Sequence, residues 1–191
     1  MNKTAFIVVD MLNDFLEENG KVFYPKYRKI IPDVKYALEL SRRYDKLIIF
    51  MKHSYRKDKY DKNLLNMREC LIEGTTGSKI IKELETKPTD YIINKRRYSS
   101  FFATDLDLVL KENSIENVVL VGIKTDNCIF SSALDAYYLN YNVFVIEDAV
   151  ATKDDNVGLV FLETINKYIG KTITLIEYKN MLSFGELWKI Y

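Results

Sequence analysis

Cysteine is scarce in this chain: two in 191 residues, Cys70 and Cys128, far apart in sequence. A chain of this length can bury a core without a covalent staple, and two thiols do not make a disulfide framework. Long apolar stretches are missing as well. None approaches the roughly 18 residues that a membrane span requires. The short apolar run after Met1-Asn2-Lys3-Thr4 ends on Asp10, without the h-region and cleavage site of a secretory signal. Nor does charge of one sign predominate, since 28 Lys and Arg oppose 27 Asp and Glu for a net charge of +1. The run Lys95-Arg96-Arg97 is too short to make a nucleic-acid face, and a solvated mixed-charge surface explains it. The expectation is no nucleic acid and no membrane among the partners, and a cytoplasmic location where thiols stay reduced. No repeat, low-complexity tract or linker interrupts the sequence, so residues 1–191 read as a single domain.

What is present is an alternation. Short, β-branched apolar runs predict strands at Ala5–Val9, Lys46–Met51, Asp90–Asn94, Asn117–Val121, Asn142–Ile146 and Thr172–Ile176. Segments of helical period separate them, predicting helices near Pro32–Arg43, Ser78–Glu83, Thr104–Asn113, Asn127–Leu139 and Asp154–Tyr168. Alternating strands and helices imply right-handed βαβ units, hence an α/β fold: a three-layer α/β/α sandwich around a mainly parallel six-stranded sheet, Rossmann-like in its winding. One long irregular stretch, from His53 to Thr76, has the length of a functional lid.

In open parallel sheets ligands bind beyond the carboxyl ends of the strands. The first strand ends in Asp10, the third runs into Lys95, and the fourth leads through Gly122-Ile123-Lys124-Thr125-Asp126 to Cys128. An acid, a base and a thiol thus meet one rim. Cys128 falls at a predicted helix start, where the macrodipole and free N–H groups lower a thiol pKa and hold an oxyanion. Asp10 follows Phe6-Ile7-Val8-Val9, where desolvation raises a carboxylate's pKa and suits it to take the thiol proton. Each residue has a plainer alternative: Cys128 as a small buried hydrophobe, Asp10 as a turn cap, Lys95 as surface charge. A nucleotide- or flavin-binding domain fits poorly, because the first turn, Asp10-Met11-Leu12-Asn13-Asp14, has no glycine to admit a pyrophosphate.

Asp10 with Asn13-Asp14-Phe15 resembles the D-x-Q-N-D-F opening of the isochorismatase-like cysteine hydrolases, which include nicotinamidases and N-carbamoylsarcosine amidases. Lys95-Arg96-Arg97-Tyr98-Ser99-Ser100-Phe101, with Thr104 and Leu106, resembles their K-x-R-Y-S-A-F-x-x-T-x-L segment. Gly122-Ile123-Lys124-Thr125-Asp126-Asn127-Cys128 is similar to G-V-x-T-N-x-C, and Asp135-Ala136, Glu147-Asp148-Ala149 and Gly74-Thr75-Thr76-Gly77 match further stretches. The resemblance implies a catalytic triad of Asp10, Lys95 and Cys128, acting on a small amide or ureido C–N bond through a thioester with release of ammonia. It also implies a cis bond between Ile123 and Lys124, directing the N–H groups of Lys124 and Cys128 into an oxyanion hole. Phe15 would line the substrate pocket with Tyr98 beside it, unless both are core aromatics. A homo-oligomer, dimer or tetramer, is implied too.

The sequence departs from that family in histidine. Its nicotinamidases bind a divalent metal through an Asp-x-His pair and a further His, and the metal holds the pyridine nitrogen. Here His53 is the only histidine; it takes the Asp place and Tyr55 the His place. One imidazole does not build a zinc site, even with Asp58 or Asp61 nearby, so the expectation is no metal and no other cofactor. His53 becomes a substrate-binding candidate, or else a surface residue. An acyclic ureido substrate, as in the N-carbamoylsarcosine amidase branch, stands beside nicotinamide, with Arg56 and Lys57 as candidates to hold its carboxylate. The alternative is a non-catalytic binding or scaffold protein of the same fold. Cys70 has no assigned role.

Overall fold

The computed structural model describes residues 3–66 and 69–184; Met67 and Arg68 of the expected lid lie outside them. Six strands form one sheet: β1 (Thr4–Val9), β2 (Leu47–His53), β3 (Tyr91–Lys95), β4 (Asn117–Ile123), β5 (Asn142–Ala151) and β6 (Lys171–Ile173). Their order is β3-β2-β1-β4-β5-β6 and every pairing is parallel. The chain winds outward from β1 in one direction and from β4 in the other. Strands β1 and β4 therefore flank the topological switch point, where a doubly wound sheet leaves a crevice at its carboxyl ends.

Successive residues of β1 serve opposite faces. Phe6 and Val8 pack with Val34 and Leu38 of α2 (Ile31–Arg43) and with Tyr178 of α6 (Leu175–Phe184). Ala5, Ile7 and Val9 pack with Leu106 and Leu110 of α3 (Leu106–Glu112), Ala133 of α4 (Phe130–Tyr138) and Ile165 of α5 (Asp155–Tyr168). This period of two, with apolar residues on both faces, explains why the strand reads as a continuous apolar run. Pro32 enters α2 in its first turn and Arg42 and Arg43 close it, in keeping with the helix dipole. Asp154 caps α5 by accepting the Asn156 and Val157 amides.

Two elements differ from the sequence expectation. Ser78–Glu83 is not a helix: a 3-10 turn covers Thr76–Ser78, then Ile80 bridges antiparallel to Leu12 and the Ile81 amide donates to the Met11 carbonyl. Adjacent β-branched Ile80 and Ile81 suit that pairing better than one helical stripe. The last strand ends at Ile173, and α6 begins where Thr172–Ile176 predicts extended chain. Thr174 and Glu177 explain it, since each side chain accepts the other's backbone amide in a reciprocal capping box. A short helix, α1 (Asn13–Leu16), follows β1.

Gly122 sits where β4 shifts register against β5, at φ +114°, and a Cβ there would lie 2.1 Å from the Val9 carbonyl oxygen. Only glycine lets β4 turn this close to β1, immediately before the segment that carries the thiol.

Candidate active site

Asp10, Lys95 and Cys128 come from the ends of three strands and meet at the switch point. Asp10 follows β1 with φ +55°, a left-handed conformation that non-glycine residues seldom hold. Its amide donates to the Met51 carbonyl and its carbonyl accepts from Leu12, which locks the turn and aims the carboxylate across the strand ends. Oδ1 accepts the His53 amide at 2.8 Å, and Oδ2 lies 2.7 Å from the Lys95 ammonium. Both side chains are buried completely. Lys95 closes β3, and the chain reverses at once, so that the carbonyls of Arg97 and Tyr98 also accept from Nζ, at 3.2 and 3.1 Å. Burial alone would lower the Lys95 pKa, but Asp10 and Cys128 beside it more than offset that and raise it. The residue is a fixed cation, not surface charge.

The thiol hangs from a π-helical turn, Thr125–Ile129, which leads into α4. Its sulfur lies within 4.8 Å of a carboxylate oxygen of Asp10. The helix-start position expected from the sequence holds, but its electrostatic consequence does not. Burial pushes the Cys128 thiol up to about 12; Lys95 pulls it down and Asp10 raises it further. Desolvation of a thiolate outweighs the pull of the cation. The preceding bond, Ile123–Lys124, is cis.

Neighbouring motif residues hold this arrangement. Ser132 Oγ donates to the Cys128 carbonyl and accepts the Ser100 amide, tying the loop after Lys95 to the cysteine turn. Thr152 at the end of β5 donates to Asp126. Asp14, buried, accepts the Leu71 and Lys21 amides through its two oxygens and so fastens the long loop to α1. A Cβ on Gly77 would fall 2.3 Å from that carboxylate.

Asp10 and Cys128 border a cavity of about 280 Å³ whose lining also includes Phe15, His53, Tyr98 and Lys124, all singled out in the sequence. Arg56 and Lys57 are elsewhere. Arg56 faces a separate polar cleft with Glu73 and Arg96, and the Lys57 amide is taken by Glu73. Besides Lys124, the cavity is lined by Lys153, just beyond β5, with its ammonium 5.6 Å from the Tyr24 ring centroid. Tyr27, Tyr55, Leu71 and Asn127 also line the space. Sequence gave no sign of Tyr27 or Lys153, which reach the cavity through tertiary packing; Asn127 was signalled by its place beside the cysteine. Cys70 packs under the long loop with Leu12, Tyr55 and Leu71, and burial pushes its thiol up to about 11.

Donor atoms of Asp10, His53 and Cys128 lie within 4.8 Å of one another, close enough to consider a divalent ion. Lys95 already holds Asp10 at 2.7 Å and would put an ammonium against the ion. Tyr55 occupies the place of a second imidazole, Asp61 is paired with Arg97 and Arg96, and Asp58 is exposed.

His53 has a measurable signature. Burial and the Lys95 charge lower its pKa to about 4. The unfolded chain therefore binds a proton first as pH falls, and stability is intact above about pH 6.5 and declines toward pH 4. The expected loss is on the order of 3 kcal/mol at most. Urea denaturation of wild type and His53→Asn from pH 7 to 4.5 checks it: the wild type should lose stability faster, and parallel curves would contradict a buried neutral imidazole.

Residues 4–177 match the Isochorismatase domain. The chain belongs to the isochorismatase family. It is 31% identical over 189 residues to a probable inactive nicotinamidase of Arabidopsis thaliana, spanning 94% of this chain and 96% of that protein. To the ureidoacrylate amidohydrolase of Agrobacterium fabrum it is 29% identical over 207 residues, spanning 95% and 91%. The solved N-carbamoylsarcosine amidase of Thermoplasma acidophilum superimposes with a TM-score of 0.81 at 30% identity, covering 91% of this chain and 96% of that one.

Proposed function

We propose that this family member is a cysteine-dependent amidohydrolase that cleaves a non-peptide C–N bond of a small amide or ureido compound and releases ammonia. The observation that carries the reading is a buried Asp10–Lys95 ion pair with the Cys128 sulfur within 4.8 Å of the carboxylate, Asp10 and Cys128 both bordering the cavity. Asp10 takes the Cys128 proton as sulfur attacks the substrate carbonyl, so a thiolate never has to persist in the buried site. The N–H groups of Lys124 and Cys128 hold the oxyanion. Asp10 returns the proton to the departing nitrogen, which leaves as ammonia. A water, deprotonated by Asp10, then opens the thioester (a thiocarbamate for a ureido substrate) and restores the thiol. Lys95 keeps Asp10 oriented and balances its charge throughout.

The walls support a substrate class. Lys153 favours a compound with a carboxylate beyond the scissile bond, that is, a ureido acid, over neutral nicotinamide. The relatives that act on ureidoacrylate and N-carbamoylsarcosine support this, and the reaction requires no metal in this reading. A scaffold reading draws on the Arabidopsis relative, described as inactive. Against it stands Lys95, since a fully buried ion pair adds little to stability and this one lies beside the thiol. Ammonia release from nicotinamide, pyrazinamide, biuret, N-carbamoylsarcosine and N-carbamoylglycine decides between them. Turnover of the ureido acids is expected; no turnover of any compound, with no alkylation of Cys128, would leave the scaffold.

A further inference from the structure

Tyr27 contributes to the cavity from the 3-10 stretch Pro25–Ile30. Its side chain is 1% exposed, yet its hydroxyl has no hydrogen-bond partner among the described residues. A buried hydroxyl left unpaired is costly, whereas phenylalanine would fill the same space with no such cost. Buried unpaired groups in folded proteins call for an explanation, and a bound ligand is one. Its surroundings indicate which. The Tyr24 ring lies 5.3 Å from the Tyr27 ring and 5.6 Å from the Lys153 ammonium, so tyrosine and lysine share one wall. Burial and the nearby Asp126 raise the phenol's pKa, keeping it a neutral donor.

Resting on the amidohydrolase reading above, we infer that Tyr27 is a specificity-determining residue whose hydroxyl donates to the distal carboxylate of the substrate, alongside Lys153. Lys153 supplies charge at the exposed end of that wall; Tyr27 supplies a directed hydrogen bond in its dry part. A ureido acid satisfies the hydroxyl on binding, and a neutral amide leaves it unpaired. Discrimination then comes from the polar group that the wrong substrate fails to meet.

The test compares the full chain with its Tyr27→Phe variant on N-carbamoylglycine and on propionamide, a shorter neutral amide with no carboxylate. For N-carbamoylglycine, kcat/KM should fall about 10-fold, mainly through KM, as expected for one hydrogen bond. For propionamide it should change less than about 2-fold. The melting temperature should stay level or rise, because the variant removes an unpaired buried group, and the rate of Cys128 alkylation should not change. Equal losses on both substrates, no loss on the acid, or a lowered melting temperature with unchanged kinetics would each overturn the inference. So would turnover of the neutral amide alone. Turnover of neither substrate, nor of any in the wider panel, by the wild type would overturn the amidohydrolase reading itself.

Discussion

Replacing Cys128 by alanine is expected to lower kcat by about 10⁴-fold or more while leaving the fold intact, since the nucleophile is lost but little volume is. Asp10→Asn should fall nearly as far. Asparagine preserves the shape of the carboxylate, but it cannot accept the thiol proton, and burial holds that thiol near 12. The informative measurement is the double variant. Residues that act as a unit lose their joint effect once, so Cys128→Ala with Asp10→Asn should be no slower than Cys128→Ala alone. Additive losses would mean that Asp10 contributes by another route. Iodoacetamide labelling gives a companion result: alkylation of wild-type Cys128 should keep rising above pH 9, with no thiolate plateau near neutrality.

The second large effect concerns stability. Lys95→Met removes one member of an ion pair whose side chains are 0% and 1% exposed. Asp10 would remain buried and charged, and breaking such a pair costs about 3–5 kcal/mol. Adding Asp10→Asn to Lys95→Met removes the stranded charge, and the double variant should recover a substantial part of that loss. Urea denaturation at pH 7 measures all three. If Lys95→Met were as stable as wild type, water would have to reach Asp10, and the dry arrangement described above would be wrong. The recovery matters because it separates a charge effect from a cavity left by the shortened side chain, which a second substitution at Asp10 would not repair.

Much of this was legible in the sequence, for identifiable reasons. Strands buried on both faces are continuous apolar runs, so β1 and β4 announce themselves, and the residues just past them point to the catalytic rim without any geometry. Ile80 and Ile81 misled because a run of lysines, glutamates and isoleucines has helical composition, while its partner, Leu12, is distant in sequence. The start of α6 was hidden by Ile173 and Ile176, although Thr174 and Glu177 carried the capping signal. The carboxylate-binding candidates went astray for a different reason. Arg56 and Lys57 sit in the long loop, but a loop has no fixed period to tell which residues face inward: Arg56 faces the cleft with Glu73, and the Lys57 backbone amide is held by the same carboxylate. Nor does a pattern reveal the Cys128 acidity, because the turn's amides can be guessed from sequence and the depth of burial cannot.

Three oxygens, the Arg97 and Tyr98 carbonyls and an Asp10 carboxylate oxygen, surround the ammonium of Lys95, and its neighbours raise its pKa. Lys95 is thus a fixed electrode rather than a courier. In the mechanism proposed above, proton traffic is then confined to Asp10 and Cys128, which leaves a single mobile proton to be lent to each leaving group and recovered from each incoming water.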